Sequence, residues 1–169
     1  MKKLNLPAYD YKLRKQGERF YIFDPVRRKW LLLTPEEWVR QHLLHYLMGQ
    51  LGYPRGLITT ETGLRYNGMQ RRSDLLVRDA QGAPYLLAEC KAPEVALTEA
   101  VFRQVSAYNH IIKAPLLLIS NGLQHFCCRF EQEHERWHFL PEIPPVGGVK
   151  KLPVGAAFFR YRSFRNGKY

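Results

Sequence analysis

The chain has 169 residues, 46% hydrophobic and 24% charged, with a formal net charge of +11. That length suits one domain with one substantial core, and no apolar run approaches the roughly 20 residues a membrane-spanning helix needs. The opening MKKLNLPAYDYK begins with the lysine pair Lys2-Lys3 but has no apolar run behind it, so no secretory leader is expected.

In chain order, ERFYIFDPVRRKWLLL predicts a β-hairpin, with strands near 19–23 and 29–33 around Asp24-Pro25. TPEEWVRQHLLHYLMGQLGYP then predicts a helix. Thr34 serves as N-cap, Pro35 sits at the first helical position and Glu37 completes a capping box. Val39, Leu43, Tyr46 and Leu47 line one side, and Gly52 and Pro54 end the helix. Strands near 57–66 and 70–78 follow, joined by the hairpin signal Asn67-Gly68, and a turn at Gln81-Gly82 leads into the strand YLLAECK. Residues 97–113 read as a second helix with the stripe Leu97, Val101, Val105, Tyr108 and Ile112. PLLLIS is an apolar strand near 115–120, ended by Asn121-Gly122, with two weaker strands near 124–130 and 136–140. The expected organisation is a single domain over 1–140, with a hairpin at 18–34 and a core at 34–140. A basic, Pro- and Gly-containing tail, extended or disordered, is expected over 141–169. The core order αβββαβ is an α/β mixture rather than a regular parallel alternation.

The positive charge is uneven. Residues 1–40 carry ten Lys/Arg against five Asp/Glu, residues 41–140 ten against nine, and residues 141–169 six against one. Basic ends around a nearly neutral centre suit contacts to a phosphate backbone, and equally a plain solvated surface. The three cysteines, Cys90, Cys127 and Cys128, are odd in number and two are adjacent. That argues against a disulfide framework and for a reducing cytoplasm. Cys127, Cys128, His134 and His138 invite a zinc reading. Adjacent strand residues face opposite ways, however, and the usual Cys-x2–4-Cys gap is missing. His42 and His45 on the first helix, and Trp30, Trp38 and Trp137, could contact nucleic acid, but core packing is the first expectation for them.

The chemistry concentrates at AECKAP. In a strand, Glu89 and Lys91 project from the same face, and buried charges are costly unless paired or bound to a metal. With the preceding turn centred on Gln81-Gly82, cross-strand partners have numbers summing to 163, so Asp74 lies opposite Glu89. Two opposed carboxylates repel unless something positive lies between them, and paired oxygens suit Mg²⁺ or Mn²⁺ better than zinc. Gln104 and Tyr108 are four apart on one face of the second helix, where a glutamine needs polar company. A strand-end salt bridge is the alternative for Asp74, Glu89 and Lys91.

RRSDLLV, fourteen intervening residues from Asp74 to Glu89, ECKAP, a helix carrying QVSAYN and a strand ending SNG together resemble the PD-(D/E)XK nuclease superfamily. More narrowly, the chain resembles the N-terminal nuclease-like domain of type I restriction enzyme R subunits, over roughly residues 18–140. IFDPVRRKWLLLTPEEWVRQ is also similar to the start of small bacterial proteins carrying that domain. Ser73 stands where the motif has proline. The resemblance implies a restriction-endonuclease-like αβββαβ core, with a mixed central sheet flanked by helices and an N-terminal β-hairpin before it. It implies divalent-metal-dependent hydrolysis of phosphodiester bonds, most naturally in DNA. Asp74, Glu89 and the Cys90 backbone carbonyl would hold Mg²⁺ or Mn²⁺, and Lys91 would orient the attacking water or neutralise developing charge. Gln104 would position the site, supported by Tyr108. Glu37, matching a first-helix carboxylate of some relatives, would reach the metal, with Arg40 pairing it or a phosphate. Glu61 reads as surface. Arg71, Arg72, Lys150 and Lys151 are candidate nucleic-acid contacts. A partner subunit or a homodimer is expected as an alternative context, as is a catalytically silent binding module. With no nucleotide-binding Gly-rich Lys loop in the sequence, no nucleotide cofactor is expected, and no membrane partner.

Overall fold

The computed structural model describes residues 1–66, 69–132 and 136–147, with side chains described outside 61–72. The described residues form two sheets, two α-helices and a short 3-10 turn at Arg55–Leu57. Strands β1 (Leu13–Gln16), β2 (Arg19–Asp24) and β3 (Lys29–Leu32) form a small antiparallel sheet. Helix α1 (Pro35–Gly49) follows, then β4 (Ile58–Tyr66), β5 (Met69–Arg78), β6 (Pro84–Cys90), helix α2 (Glu99–Ile112), β7 (Leu116–Ser120), β8 (His125–Glu131) and β9 (Arg136–Leu140). The six later strands lie side by side in chain order, β4-β5-β6-β7-β8-β9. All pairings are antiparallel except β6 with β7, which is parallel because α2 carries the chain back across the sheet. The expected αβββαβ core with a mixed sheet and a preceding hairpin is therefore the observed one.

The expected β5–β6 register holds. Leu75 pairs with Ala88, Leu76 with Leu87 and Val77 with Leu86, before a bulge at Arg78. The ladder stops at Leu75 and Ala88; beyond it Asp74 reaches the end of β6 through its side chain, which accepts from the Cys90 N–H. Alternation splits the sheet's apolar residues between two cores. Leu75, Val77, Leu86, Ala88 and Cys90 pack under α1, whereas Leu76, Leu87, Leu117 and Ile119 pack under α2 with Val105, Tyr108 and Ile112. Cys127 and Cys128 fall one in each core, as adjacent strand residues must.

Three features differ from the sequence reading. The segment 13–16 forms β1, a third strand on the hairpin, held by pairing with β2 although all four residues are exposed and Arg14 and Lys15 are charged. Helix α1 is not one-sided: every residue from Glu37 to Leu44 is buried, because the small-sheet side (Ile22, Asp24, Arg27) and the N-terminal segment, with Tyr9 on His42 and Tyr11 on Trp38, cover what the main sheet leaves. The capping box closes on one side only. Thr34 Oγ1 accepts from the Glu37 N–H at 3.1 Å, but the Thr34 N–H donates to the Leu32 carbonyl, so the Glu37 carboxylate is released for other partners.

The body continues past Leu140. Ile143 and Pro144 are buried, the Val146 N–H donates to the Leu51 carbonyl, and the Tyr53 hydroxyl donates to the Pro144 carbonyl at 2.8 Å. Residues 141–147 thus pack on the loop after α1 rather than forming a loose tail; Lys150, Lys151 and the rest of 148–169 lie outside the described residues. No helix among the described residues is long and apolar enough to cross a membrane.

Candidate active site

The site forms where the β5–β6 pairing stops, at the middle of β5 and the carboxyl end of β6, beside the carboxyl end of β7 and between the two helix layers. Carboxyl ends of strands flanking a parallel pairing are a recurrent place for ligand crevices. Backbone geometry fixes three positions. Asp74 Oδ2 accepts from the Cys90 N–H at 2.6 Å, tying β5 to the end of β6. The Lys91 N–H donates to the Ser120 carbonyl at 2.8 Å, tying the end of β6 to β7. Beyond β7, Asn121 accepts from the Leu123 and Gln124 N–H groups and donates to the Val95 carbonyl, so the two loops that rim the site are joined.

On this frame Lys91 Nζ donates to Glu89 Oε1 at 2.8 Å. Their side chains are 24% and 21% exposed, so the pair is reachable from solvent, whereas Asp74 is nearly buried behind it. Burial, followed by the charge of Asp74, raises Glu89 to about 7 against the pull of Lys91. Burial alone would lower Lys91, but the hydrogen bond and charge of Glu89, with Glu36 and Asp74 behind, leave it raised and firmly protonated. The site holds more negative charge than Lys91 can balance.

The balancing cation is Arg40. Its guanidinium lies 3.2 Å from Asp74 Oδ1, 3.1 Å from Glu37 Oε2 and 3.8 Å from Glu36 Oε1. The two glutamates divide the work. Glu37 accepts from Gln41 Nε2 at 2.8 Å and belongs to a buried polar group with Arg40, Gln41, Arg27 and Asp24. Glu36 is the first-helix carboxylate that feels the site: burial raises it, then Asp74, while Lys91 and Arg40 lower it. Sequence reading favoured Glu37 and missed Glu36. The adjacent acids in TPEEW lie about 100° apart around the helix, and only the phase of α1 against the sheet decides between them.

The remaining candidates distribute as follows. Tyr108 is buried in the α2 core, lies against Ser73, and is raised by burial, with Glu89 adding to the shift. Gln104, one turn earlier, is exposed on α2. Glu61 occupies the β4 position between Thr60, paired with Leu75, and Thr62, paired with Ser73; its side chain lies outside the described residues. Arg71 and Arg72 sit on β5, paired with Leu64 and Gly63, and their side chains are likewise outside the description. Burial pushes the Cys90 thiol up and holds Cys127 at about 12, so these sulfurs are inert protonated thiols rather than nucleophiles. His134 lies outside the described residues, and His138 meets Glu131 at 2.7 Å on an exposed hairpin.

Among the described residues, no three of His, Cys, Asp and Glu are grouped to hold a metal ion. A cation here would need Asp74, Glu89 and a backbone carbonyl such as that of Cys90. That all-oxygen donor set fits a hard divalent ion. The fit is supported by the excess of carboxylate charge around Asp74, where a guanidinium now supplies the opposing charge.

No curated protein matches the chain. Among solved structures, one described as a fragment of a type I restriction enzyme HsdR subunit from Vibrio vulnificus YJ016 is similar. Its TM-score is 0.49 and its identity 18%, covering 67% of this chain and 24% of that one. This chain therefore spans about a quarter of that relative's length. A family model described as type I restriction enzyme R protein N terminus (HSDR_N) matches residues 35–144, from the start of α1 to the segment that packs on Tyr53. The chain belongs to that family.

Proposed function

We propose that this domain is a PD-(D/E)XK nuclease that hydrolyses phosphodiester bonds, in DNA, with Mg²⁺ or Mn²⁺ held by Asp74, Glu89 and the Cys90 carbonyl. The observation that carries this reading is the juxtaposition of Asp74, midway along β5, with the Glu89–Lys91 pair at the end of the neighbouring β6. The family's link to a restriction enzyme subunit agrees with it.

A divalent ion bound there supplies Lewis acidity to a water and to phosphoryl oxygens. The chain's own residues do the rest. Lys91, held protonated by Glu89, presents a fixed ammonium to the negative charge that develops on phosphorus oxygens. Glu89, neutral over part of the accessible pH range, must lose its proton to serve as a ligand, so its carboxylate is favoured above about pH 7. Tyr108 fixes the α2 side of the pocket against Ser73. Gln104, exposed one turn away, is free of the core packing and reaches a phosphate backbone lying over α2.

The second reading is a catalytically silent nucleic-acid-binding module, or a subunit domain that acts only with a partner. It is favoured by one observation: both Asp74 oxygens are already engaged, one by the Cys90 amide and one by Arg40.

The test combines Mn²⁺ calorimetry on wild type and Asp74→Ala with cleavage of plasmid, single-stranded and branched DNA in Mg²⁺ or Mn²⁺. The nuclease reading expects Mn²⁺ heat in wild type only. It also expects Lys91→Ala to lose about 100-fold or more in cleavage while keeping salt-sensitive DNA binding. Metal binding with no hydrolysis of any substrate selects the second reading. No metal binding at all reduces Asp74, Glu89 and Lys91 to a strand-end ion-pair cluster.

A further inference from the structure

The small sheet has an outward face that the site does not use. On its inward side Ile22 and Asp24 are fully buried against the domain, while Leu13, Lys15 and Phe20 at the far end of that side are exposed. Pairing then fixes what points the other way. Lys12, Phe23 and Trp30 form one cross-strand row, Arg14, Tyr21 and Leu32 the next, and Gln16 and Arg19 the last. Lys12 Nζ lies 5.8 Å from the Phe23 ring centre. The Arg14 guanidinium lies 5.7 Å from the Tyr21 ring and 5.0 Å from the Trp30 ring. Phe23 and Trp30 meet edge to face at 5.5 Å. The three rings are half-buried, the cations above them are exposed, and no acid occupies an outward position of these strands.

We infer that this face is a stacking platform for single-stranded nucleic acid. Large rings are usually spent on a core, yet these three lie on the side of the sheet that the core does not use. Aromatic rings interleaved with Lys and Arg on an open sheet suit two features of an unpaired strand: bases whose flat faces are available, and a phosphate at every step. Duplex DNA hides its base faces inside the stack, so it can use only the cations. The occupant is identified by charge as well. The first forty residues carry a surplus of five positive charges, and the outward rows carry Lys12, Arg14 and Arg19 without a balancing carboxylate. The platform does not depend on the hydrolysis proposed above, since neither Asp74 nor Glu89 belongs to it. It would supply that site with a way of holding an unpaired segment of the same strand.

The test uses the full chain in EDTA, where metal-dependent cleavage cannot occur. Trp fluorescence and anisotropy are read with labelled dT15, rU15, a 15-base-pair duplex and anionic phospholipid vesicles. Trp30 emission is expected to be quenched by dT15 or rU15, with single strands bound at least about tenfold more tightly than duplex. The tighter of the two homopolymers identifies DNA or RNA as the source of the strand. Trp30→Leu and Tyr21→Leu should each weaken single-strand binding about tenfold and leave duplex binding unchanged. Lys12→Ala, Arg14→Ala and Arg19→Ala together should lower the slope of log K against log[salt] by about 2 units. The last three positions are exposed, so these variants keep the test alive should an aromatic variant misfold. Equal affinity for single strand and duplex, an unchanged salt slope in the triple variant, or tight binding to vesicles alone would overturn the platform.

Discussion

Arg40 on the first helix and Asp74 on the second strand of the large sheet meet at 3.2 Å, with both side chains nearly buried, and the same guanidinium holds Glu37 at 3.1 Å. One cation therefore joins the helix to the sheet and neutralises two acids in a poorly solvated place. Removing one member of such a group strands the others, which costs more than the group contributes while intact. Arg40→Gln should lose about 3–5 kcal/mol of unfolding free energy in urea. A loss under about 0.5 kcal/mol would mean that Asp74 and Glu37 are solvated and the pairing is incidental.

Glu89 gives a pH signature with a definite sign. Its folded value is raised from 4.5 to about 7, so the native state holds a proton there that the unfolded chain has released. The associated stability is complete below about pH 4.5 and is lost as pH rises toward 7. Wild type should fall relative to Glu89→Gln by about 1–3 kcal/mol between pH 4.5 and 8. The comparison cancels groups that titrate in both proteins. Mg²⁺ favours the charged carboxylate, so it should reduce the fall in wild type and leave Glu89→Gln unmoved. Parallel profiles for the two proteins in its absence would refute the raised value.

Ile143 and Tyr53 test whether residues 141–147 belong to the body. Ile143 is 8% exposed, and Tyr53 donates to the carbonyl of its neighbour Pro144. Ile143→Ala should cost about 2–4 kcal/mol and Tyr53→Phe about 1 kcal/mol, read as shifts in the urea midpoint. If the segment were detached, Ile143→Ala would move the midpoint by nothing measurable.

Gly122 follows β7 at φ +80°, and a Cβ built there would lie 2.7 Å from a methyl of Leu4. The N-terminal segment is held here by the Asn5 N–H donating to the Gly122 carbonyl at 2.7 Å. Gly122→Ala should therefore cost about 1–3 kcal/mol through backbone strain and overlap together. In a Leu4→Ala background the same change should cost less, because the shortest overlap is gone and only the strain and the 3.1 Å approach to Val39 remain. Strict additivity in the double-mutant cycle would place Leu4 elsewhere.

The parts of the fold that were legible in the sequence are those whose signal is local. Gln81-Gly82 located the β5–β6 turn, although that turn closes one residue off, with Arg78 on Pro84, and the bulge between Val77 and Arg78 is what brings Leu75, Leu76 and Val77 onto the expected partners. The stripe from Leu97 to Ile112 identified the buried side of α2. Three misses share the opposite property. Leu13–Gln16 is a strand only because Arg19–Ile22 offers it a ladder, and LRKQ carries no apolar alternation of its own. Glu37, Arg40 and Gln41 are polar yet buried, because Asp24 and Arg27 arrive from the small sheet to cover them; a helix periodicity cannot see a cover supplied by another element. Residues 143–146 read as a Pro- and Gly-rich tail, because their partners, Leu51 and Tyr53, lie some ninety residues earlier in the chain.

The parallel seam between β6 and β7 has a consequence for how the domain assembles. On one side, β4, β5 and β6 are joined by short connections; on the other, β7, β8 and β9 are too. Each trio can zip from its own turns, whereas the seam must wait for the whole α2 crossover, a closure with a longer chain to order. The Lys91 N–H bonds across that seam to Ser120, while Asp74 and Glu89 belong to the earlier trio. The acids would meet first and the lysine would be fixed last. In pulse-labelled hydrogen exchange during refolding, the Lys91 amide should gain protection later than those of Leu76 and Leu87, and simultaneous protection would contradict this order. The backbone that positions Lys91 would thus be set only once the two halves have docked, which ties completion of the site to completion of the fold.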